Sequence, residues 1–245
     1  MNQKYYTPPP PSFINKESSL FFNKIKIIKT EELIICSCNY DITYFHENLY
    51  SQFNILLPNN IKNSVKKRQA EYLAGRYVAS KALTELGHHV TNIPTGKHRS
   101  PIWPKGVLAS ITHTNELAAC AVKHDSKHQY LGIDFENWLT HSIASQISRS
   151  LIHTNEEELL FKNNKNKILL FTLIFSAKES LFKALYPSVG FYFDFSAAKV
   201  ISVDYRKREF KITLNKNLSE HLRRGQSFNG NYKIYSKGIF TIISK

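Results

Sequence analysis

Apolar and polar positions divide the chain into stretches of different period. Leu33 to Tyr40 is a short, mostly apolar run that predicts a first core strand. Ahead of it, residues 1–20 are polar and proline-bearing and are expected to form an extended arm. Pro58-Asn59-Asn60 marks a turn, and from Ile61 to Leu86 the period becomes helical. Val65, Tyr72, Leu73, Ala79, Ala82, Leu83 and Leu86 fall mostly on one face, with Gly87 placed to stop the helix. Lys66, Lys67, Arg68, Arg76 and Lys81 fall on the other face. Such a stripe is equally compatible with a solvated surface and with an anion site.

Thr95 to Pro104 is a loop rich in turn formers and cations. Val107–Thr112 and Leu117–Val122 read as strands, and Tyr130–Ile133 begins a third that runs into Asp134 and Glu136. Short strands with tight connections predict an antiparallel meander. Thr154 with Glu157 three residues later is a capping-box pattern for a helix to about Phe161. Asn163–Lys167 is a polar break. Ile168–Tyr186 is a second long helix, expected to end before Pro187. Beyond it, Phe193–Val203 and Phe210–Leu214 alternate as strands, Asn229-Gly230 reads as a hairpin turn, and Ile239–Ile243 closes the chain as a strand.

Composition narrows the setting. A chain of 245 residues can form one large domain or two small ones, and 42% apolar with 13% aromatic residues supports a packed core. Lys plus Arg number 33 against 19 acids, a net charge of +14. That balance suits an anionic partner: a nucleic acid, a membrane surface, a phosphorylated small molecule or an acidic protein. Three cysteines without a C-x-x-C indicate neither a disulfide framework nor a zinc site, and point to a reducing cytoplasm. Cys36 and Cys38 share a strand face and are read as core. No signal sequence precedes the Pro8–Pro11 run, and Ile168–Phe175 is too short to span a bilayer.

The chemistry concentrates in LGIDFE, Leu131 to Glu136. Alternation puts Asp134 and Glu136 on one strand face, with Phe135 opposite. On its own this is also the pattern of a solvated strand end. Adjacent carboxylates raise each other's pKa unless a cation lies between them, and a hard divalent ion such as Mg²⁺ is a simple remedy. In the long second helix, Glu179 and Lys183 lie one turn apart among Phe175, Leu181, Phe182 and Leu185. That spacing is commonest in surface salt bridges, but these neighbours argue against full solvation.

Taken in order, RQAEYLAGR (Arg68–Arg76), KHRSPIWPKG (Lys97–Gly106), SITHT (Ser110–Thr114), GIDFE (Gly132–Glu136) and FSAKESLFKAL (Phe175–Leu185) resemble the surfactin-type 4′-phosphopantetheinyl transferases, most closely the enterobactin synthase component D subgroup. The resemblance implies an α/β (α+β) fold of two similar halves packed as a pseudo-dimer, about residues 1–128 and 129–245. It implies transfer of phosphopantetheine from coenzyme A to a serine of an apo carrier protein, with release of 3′,5′-ADP. It assigns Mg²⁺ to Asp134, Glu136 and Glu179, and catalysis to Glu179, Lys183 and His113. It assigns coenzyme A, at the junction of the halves, to Arg68, Arg76, Lys97, Arg99, Thr112, His113, Lys178 and Lys183. Phe175 stands where many members have tryptophan. The partner implied is an acidic carrier of nonribosomal peptide or siderophore synthesis, met by a cytoplasmic monomer. A nucleic-acid-binding module and a Mg²⁺ phosphohydrolase are the rival readings, although no nucleic-acid-binding signature is visible and the acids of LGIDFE would oppose a phosphate backbone.

Overall fold

The structure is a computed structural model that describes residues 5–6, 20–90, 92–126, 129–152, 156–157, 161 and 166–245. Packing divides the chain into two units, residues 1–127 and 128–245. Each contains a five-stranded antiparallel sheet and one long helix.

In the first unit the strands are β1 (Tyr5–Tyr6), β2 (Phe22–Lys29), β3 (Ile34–Tyr40), β4 (Val107–His113) and β5 (Leu117–His124), in the order β1-β2-β3-β5-β4. The alternating run around Cys36 is β3, with Ile34, Cys36, Cys38 and Tyr40 buried. Burial pushes the Cys36 thiol up to about 12, which suits a packing residue. Strand β2 escaped the pattern reading. Its register slips at a bulge between Asn23 and Lys26, where Lys24 is left-handed (φ 50°), so its apolar positions do not alternate. Most of the expected N-terminal arm lies outside the described residues.

The helix expected over 61–86 is divided. A short α1 (Asn48–Gln52) and α2 (Asn59–Lys62) precede α3 (Lys66–Glu85). Val65 is the extended residue before α3 and is 72% exposed, not part of the apolar face. Gly87, at φ 95°, terminates α3 as the pattern predicts. The helix packs its alanine-rich middle against β5 and β3. Arg76 is only 7% exposed, so the basic stripe is not uniformly solvated.

The predicted three-strand meander is corrected. Strand β5 is already paired on both edges, by β3 and β4, so the third strand has no free edge there. That strand, β6 (Leu131–Asn137), joins the second sheet, whose order is β6-β10-β9-β8-β7. Its partners are β7 (Ala198–Asp204), β8 (Glu209–Leu214), β9 (Ser227–Ile234) and β10 (Gly238–Ser244).

Helix α4 (His141–Leu151) starts at Thr140, whose hydroxyl accepts from Ile143 N. The expected capping box at Thr154 lies outside the described residues. Helix α5 (Lys167–Val189) is capped by the Asn166 side chain and runs through Pro187. That proline falls in the last turn, just before left-handed Gly190 (φ 74°), where one missing amide bond costs little helix. Phe193–Phe195 is not strand; a 3₁₀ turn, Phe195–Ala197, precedes β7. Asn229-Gly230 is no hairpin turn but lies inside β9. A Cβ at Gly230 would stand 2.2 Å from the Phe210 ring, so packing, not a turn, explains the glycine. Helix α5 lies against β6 and β10, and buries Leu173, Ile174 and Leu181 with Ile212, Phe228, Ile239 and Ile243. Among the described residues no helix is long and apolar enough to cross a membrane.

Candidate active site

In the second unit, site geometry begins at Gly132. A Cβ there would stand 2.0 Å from the Ser180 carbonyl oxygen and 2.6 Å from Ala184 N, so only hydrogen lets α5 lie this close to β6. Alternation then brings Asp134 and Glu136 to the same strand face, towards the same helix. Asp134 is 2% exposed. Its Oδ1 accepts from Lys183 Nζ at 2.7 Å, and its Oδ2 accepts from Ser176 Oγ at 2.8 Å. Lys183 thus reaches across to the strand and does not bond Glu179 one turn back along the helix.

The cluster carries three carboxylates and one ammonium. Burial pushes the Glu136 carboxyl up to about 8, with Asp134 and Glu179 adding to the shift and Lys183 opposing it. Glu179 is raised by burial too, with Lys183 opposing and Asp134 adding. For Lys183, desolvation works against the ammonium, but Asp134, its hydrogen bond and the two glutamates outweigh it and hold the amine above its ordinary value. Among the described residues no group of three His, Cys, Asp or Glu side chains is arranged to hold a metal ion, so the Mg²⁺ set Asp134, Glu136 and Glu179 is not assembled as a ligand site. The donors are nonetheless hard oxygens with surplus negative charge, which fits a Mg²⁺-type ion that keeps several waters. Beside Glu179 lies a small cavity lined by Phe182, Tyr192, Phe193 and Phe195.

Lys178, carried into the coenzyme A set by resemblance, is 3% exposed. Its ammonium donates to Glu156 at 3.1 Å and to the Leu151 carbonyl at 2.5 Å. The other Glu156 oxygen accepts from Val200 N at 2.8 Å, on the outermost strand β7. This geometry makes Lys178 part of the internal scaffold that ties α5, α4 and the sheet edge together.

The first unit gathers the cations in two places. Arg68, in the first turn of α3, has Nη1 3.3 Å from Nε2 of His113, the last residue of β4, and 3.4 Å from Glu71. Thr112, next to His113 in sequence, is buried at 2% exposure. About two turns further along α3, Arg76 donates to Thr95 Oγ1 at 3.1 Å and lies over the Tyr72 ring at 4.6 Å. It pairs with no carboxylate among the described residues, and its buried Nε has no partner. Burying a guanidinium without a carboxylate partner is costly. Thr95 opens the loop that carries Lys97 and Arg99, both exposed, through left-handed His98 and Arg99 (φ 52° and 64°). Sequence reasoning missed Thr95 and Glu71, which hold Arg76 and Arg68, and the hydroxyls of Ser176, Ser180 and Thr241 around Asp134. Thr241 alone left a signal, a polar residue on the face otherwise occupied by Ile239 and Ile243.

Comparison with known proteins identifies the family. The family described as 4′-phosphopantetheinyl transferase N-terminal domain matches residues 57–123, and the 4′-phosphopantetheinyl transferase superfamily matches residues 130–235. Enterobactin synthase component D of Salmonella typhi is 33% identical over 169 residues, 68% of each chain. The 4′-phosphopantetheinyl transferase Npt of Nocardia iowensis is 34% identical over 140 residues, 57% of this chain and 62% of its own. The 4′-phosphopantetheinyl transferase Svp of Streptomyces mobaraensis is 32% identical over 145 residues, 58% and 57% respectively. By sequence, fold and the order of its motifs, the chain belongs to the 4′-phosphopantetheinyl transferase superfamily.

Proposed function

We propose that the chain transfers 4′-phosphopantetheine from coenzyme A to a carrier-protein serine at a centre built on Asp134, Glu136, Glu179 and Lys183. The observation that carries this reading is the strand–helix cluster itself, with three acids and one ammonium held on facing elements. Asp134, Glu136 and Glu179 would hold Mg²⁺, which when bound supplies positive charge to the pyrophosphate oxygens. The serine oxygen forms a bond to the β-phosphorus as the bond to 3′,5′-ADP breaks, and the serine proton passes to Glu179, directly or through water. Lys183, a preorganised cation beside the acids, offsets charge that builds on the pyrophosphate.

In the first unit, Arg76 with Lys97 and Arg99 is suited to the 3′-phosphate, and His113, held by Arg68, to a further phosphate. A net charge of +14 favours an acidic carrier surface. The names of the enterobactin synthase relatives favour carriers of nonribosomal peptide or siderophore synthesis. The test is incubation with coenzyme A, Mg²⁺ and an apo carrier domain, followed by intact mass. A gain of one phosphopantetheine on the carrier serine is the expected result. Hydrolysis of coenzyme A with an unmodified carrier would overturn the proposal in favour of a phosphohydrolase.

A further inference from the structure

Strand β10 presents Ile239, Thr241 and Ile243 on one face, and each is fully buried. The isoleucines close the core. Thr241 has the shape of valine but carries a hydroxyl that must find partners inside the protein. It finds them on α5, where Ser176 and Ser180, one turn apart, are also fully buried. Thr241 Oγ1 lies 2.8 Å from Ser176 Oγ and 2.7 Å from Ser180 Oγ, and donates to the Ser176 carbonyl at 2.9 Å. Ser180 Oγ also reaches the Thr241 carbonyl at 3.2 Å. Across the sheet, Thr241 is the register partner of Asp134.

The direction of the network follows from its one charged end. A carboxylate only accepts, so the Ser176 hydroxyl donates to Asp134 Oδ2. Thr241 points its proton at Ser176, whether at Oγ or at the carbonyl, and Ser180 donates to Thr241. When Thr241 donates to Ser176 Oγ, the hydroxyls form a chain that ends on the carboxylate and each bond polarises the next; when it donates to the Ser176 carbonyl, it holds the backbone that carries the Ser176 hydroxyl. Three buried hydroxyls are poor core packing, and apolar residues of similar size would fill the space without needing partners. Their one charged contact is at Asp134, whose two oxygens are each held, one by Lys183 and the other by Ser176.

We propose that Thr241, acting through Ser176, is a positioning residue that fixes the Asp134 carboxylate for phosphopantetheinyl transfer. This rests on the reading that Asp134 serves the reaction. The work of such an outer group is to hold a ligand in one orientation, and its loss characteristically lowers affinity or activity by about 10–100-fold.

Thr241→Val removes the hydroxyl and keeps the shape, Thr241→Ser returns the hydroxyl, and Asp134→Asn is the reference. For each, kcat and the coenzyme A KM are measured together with apo melting temperature. Binding of Mn²⁺, as a probe ion, is followed by the loss of its free paramagnetic resonance signal. Thr241→Val should lower kcat by about 10–100-fold and weaken Mn²⁺ binding by about tenfold. Its coenzyme A KM should stay near wild type and its melting temperature should not fall. Thr241→Ser should recover most of both losses, and Thr241→Val should add nothing in the Asp134→Asn background. Wild-type kcat and Mn²⁺ binding in Thr241→Val, while Asp134→Asn is inactive, would overturn the positioning role and leave the site reading intact. Full activity in Asp134→Asn would remove the site reading, and this inference with it.

Discussion

Lys183→Ala tests the arrangement of charges directly. The substitution leaves Asp134 buried at 2% exposure with Ser176 as its hydrogen-bond donor and Glu136 and Glu179 nearby. Removing one partner of a buried ion pair costs about 3–5 kcal/mol. Here the Lys183 side chain is 26% exposed and Ser176 stays in place, so water and that hydroxyl recover part of the loss. We therefore expect about 2–3 kcal/mol, or roughly 5–10 °C in melting temperature for a chain of this size. The pH dependence carries a sign. Lys183 has a raised pKa, so its stabilisation is complete below the ordinary lysine value and persists through neutral pH. Without it, Glu136 and Glu179 lose the ammonium that opposes their upward shifts and bind protons more tightly in the folded than in the unfolded chain. Stability is then lost as pH rises above the ordinary carboxylate range, and the deficit against wild type should widen from pH 5 to pH 8. The assay is thermal unfolding of both proteins without divalent ions across that range. Equal melting temperatures at pH 8, or a larger deficit at pH 5, would refute the reasoning.

Glu136, raised to about 8, destabilises the apo fold progressively between the ordinary carboxylate pKa and about 8; Glu136→Gln should flatten that slope, and the thermal shift induced by Mg²⁺ in wild type should grow with pH across the same window. Gly132→Ala forces α5 away from β6 and should cost about 1–3 kcal/mol or more, with turnover falling beyond the loss of folded protein; an unchanged melting temperature would contradict the 2.0 Å approach. Arg76→Ala should raise the coenzyme A KM more than it lowers kcat, and should erase the preference for coenzyme A over dephospho-coenzyme A; a preference that survives would place the 3′-phosphate elsewhere.

The fold was legible wherever one face of an element is apolar and its period is undisturbed. Strands β3 and β10 meet that condition; β5 and β6 are instead continuous buried runs, and α3 and α5 were legible by their length and apolar content. Strand β2 does not meet it, because its bulge at Lys24 moves the apolar positions out of step. Helix α4 went unread although Ile143, Ala144, Ile147 and Leu151 stand at helical spacing behind the Thr140 cap; it is short, and only Ala144 and Leu151 of it are buried. Asn229-Gly230 misled for a different reason. Glycine marks a tight turn and a close ring contact in the same letters, and only the position of Phe210 distinguishes them.

Periodicity assigned Asp134 and Glu136 to one face of β6 and Glu179 and Lys183 to one face of α5, but a period cannot say which residue on one element meets which on another. The sequence spacing favoured a Glu179–Lys183 pair within the helix, whereas the fold gives Lys183 to Asp134. The difference arises from Gly132. By admitting the helix backbone to within contact of the strand, it shortens the span between elements until a lysine can bridge it. The same close approach explains the hydroxyls, since only small side chains fit between α5 and β10 at this level. A serine there can be buried only if it is hydrogen-bonded. Small residues demanded by packing thus become the polar residues that orient the acid, and neither consequence can be read from β6, β10 or α5 alone.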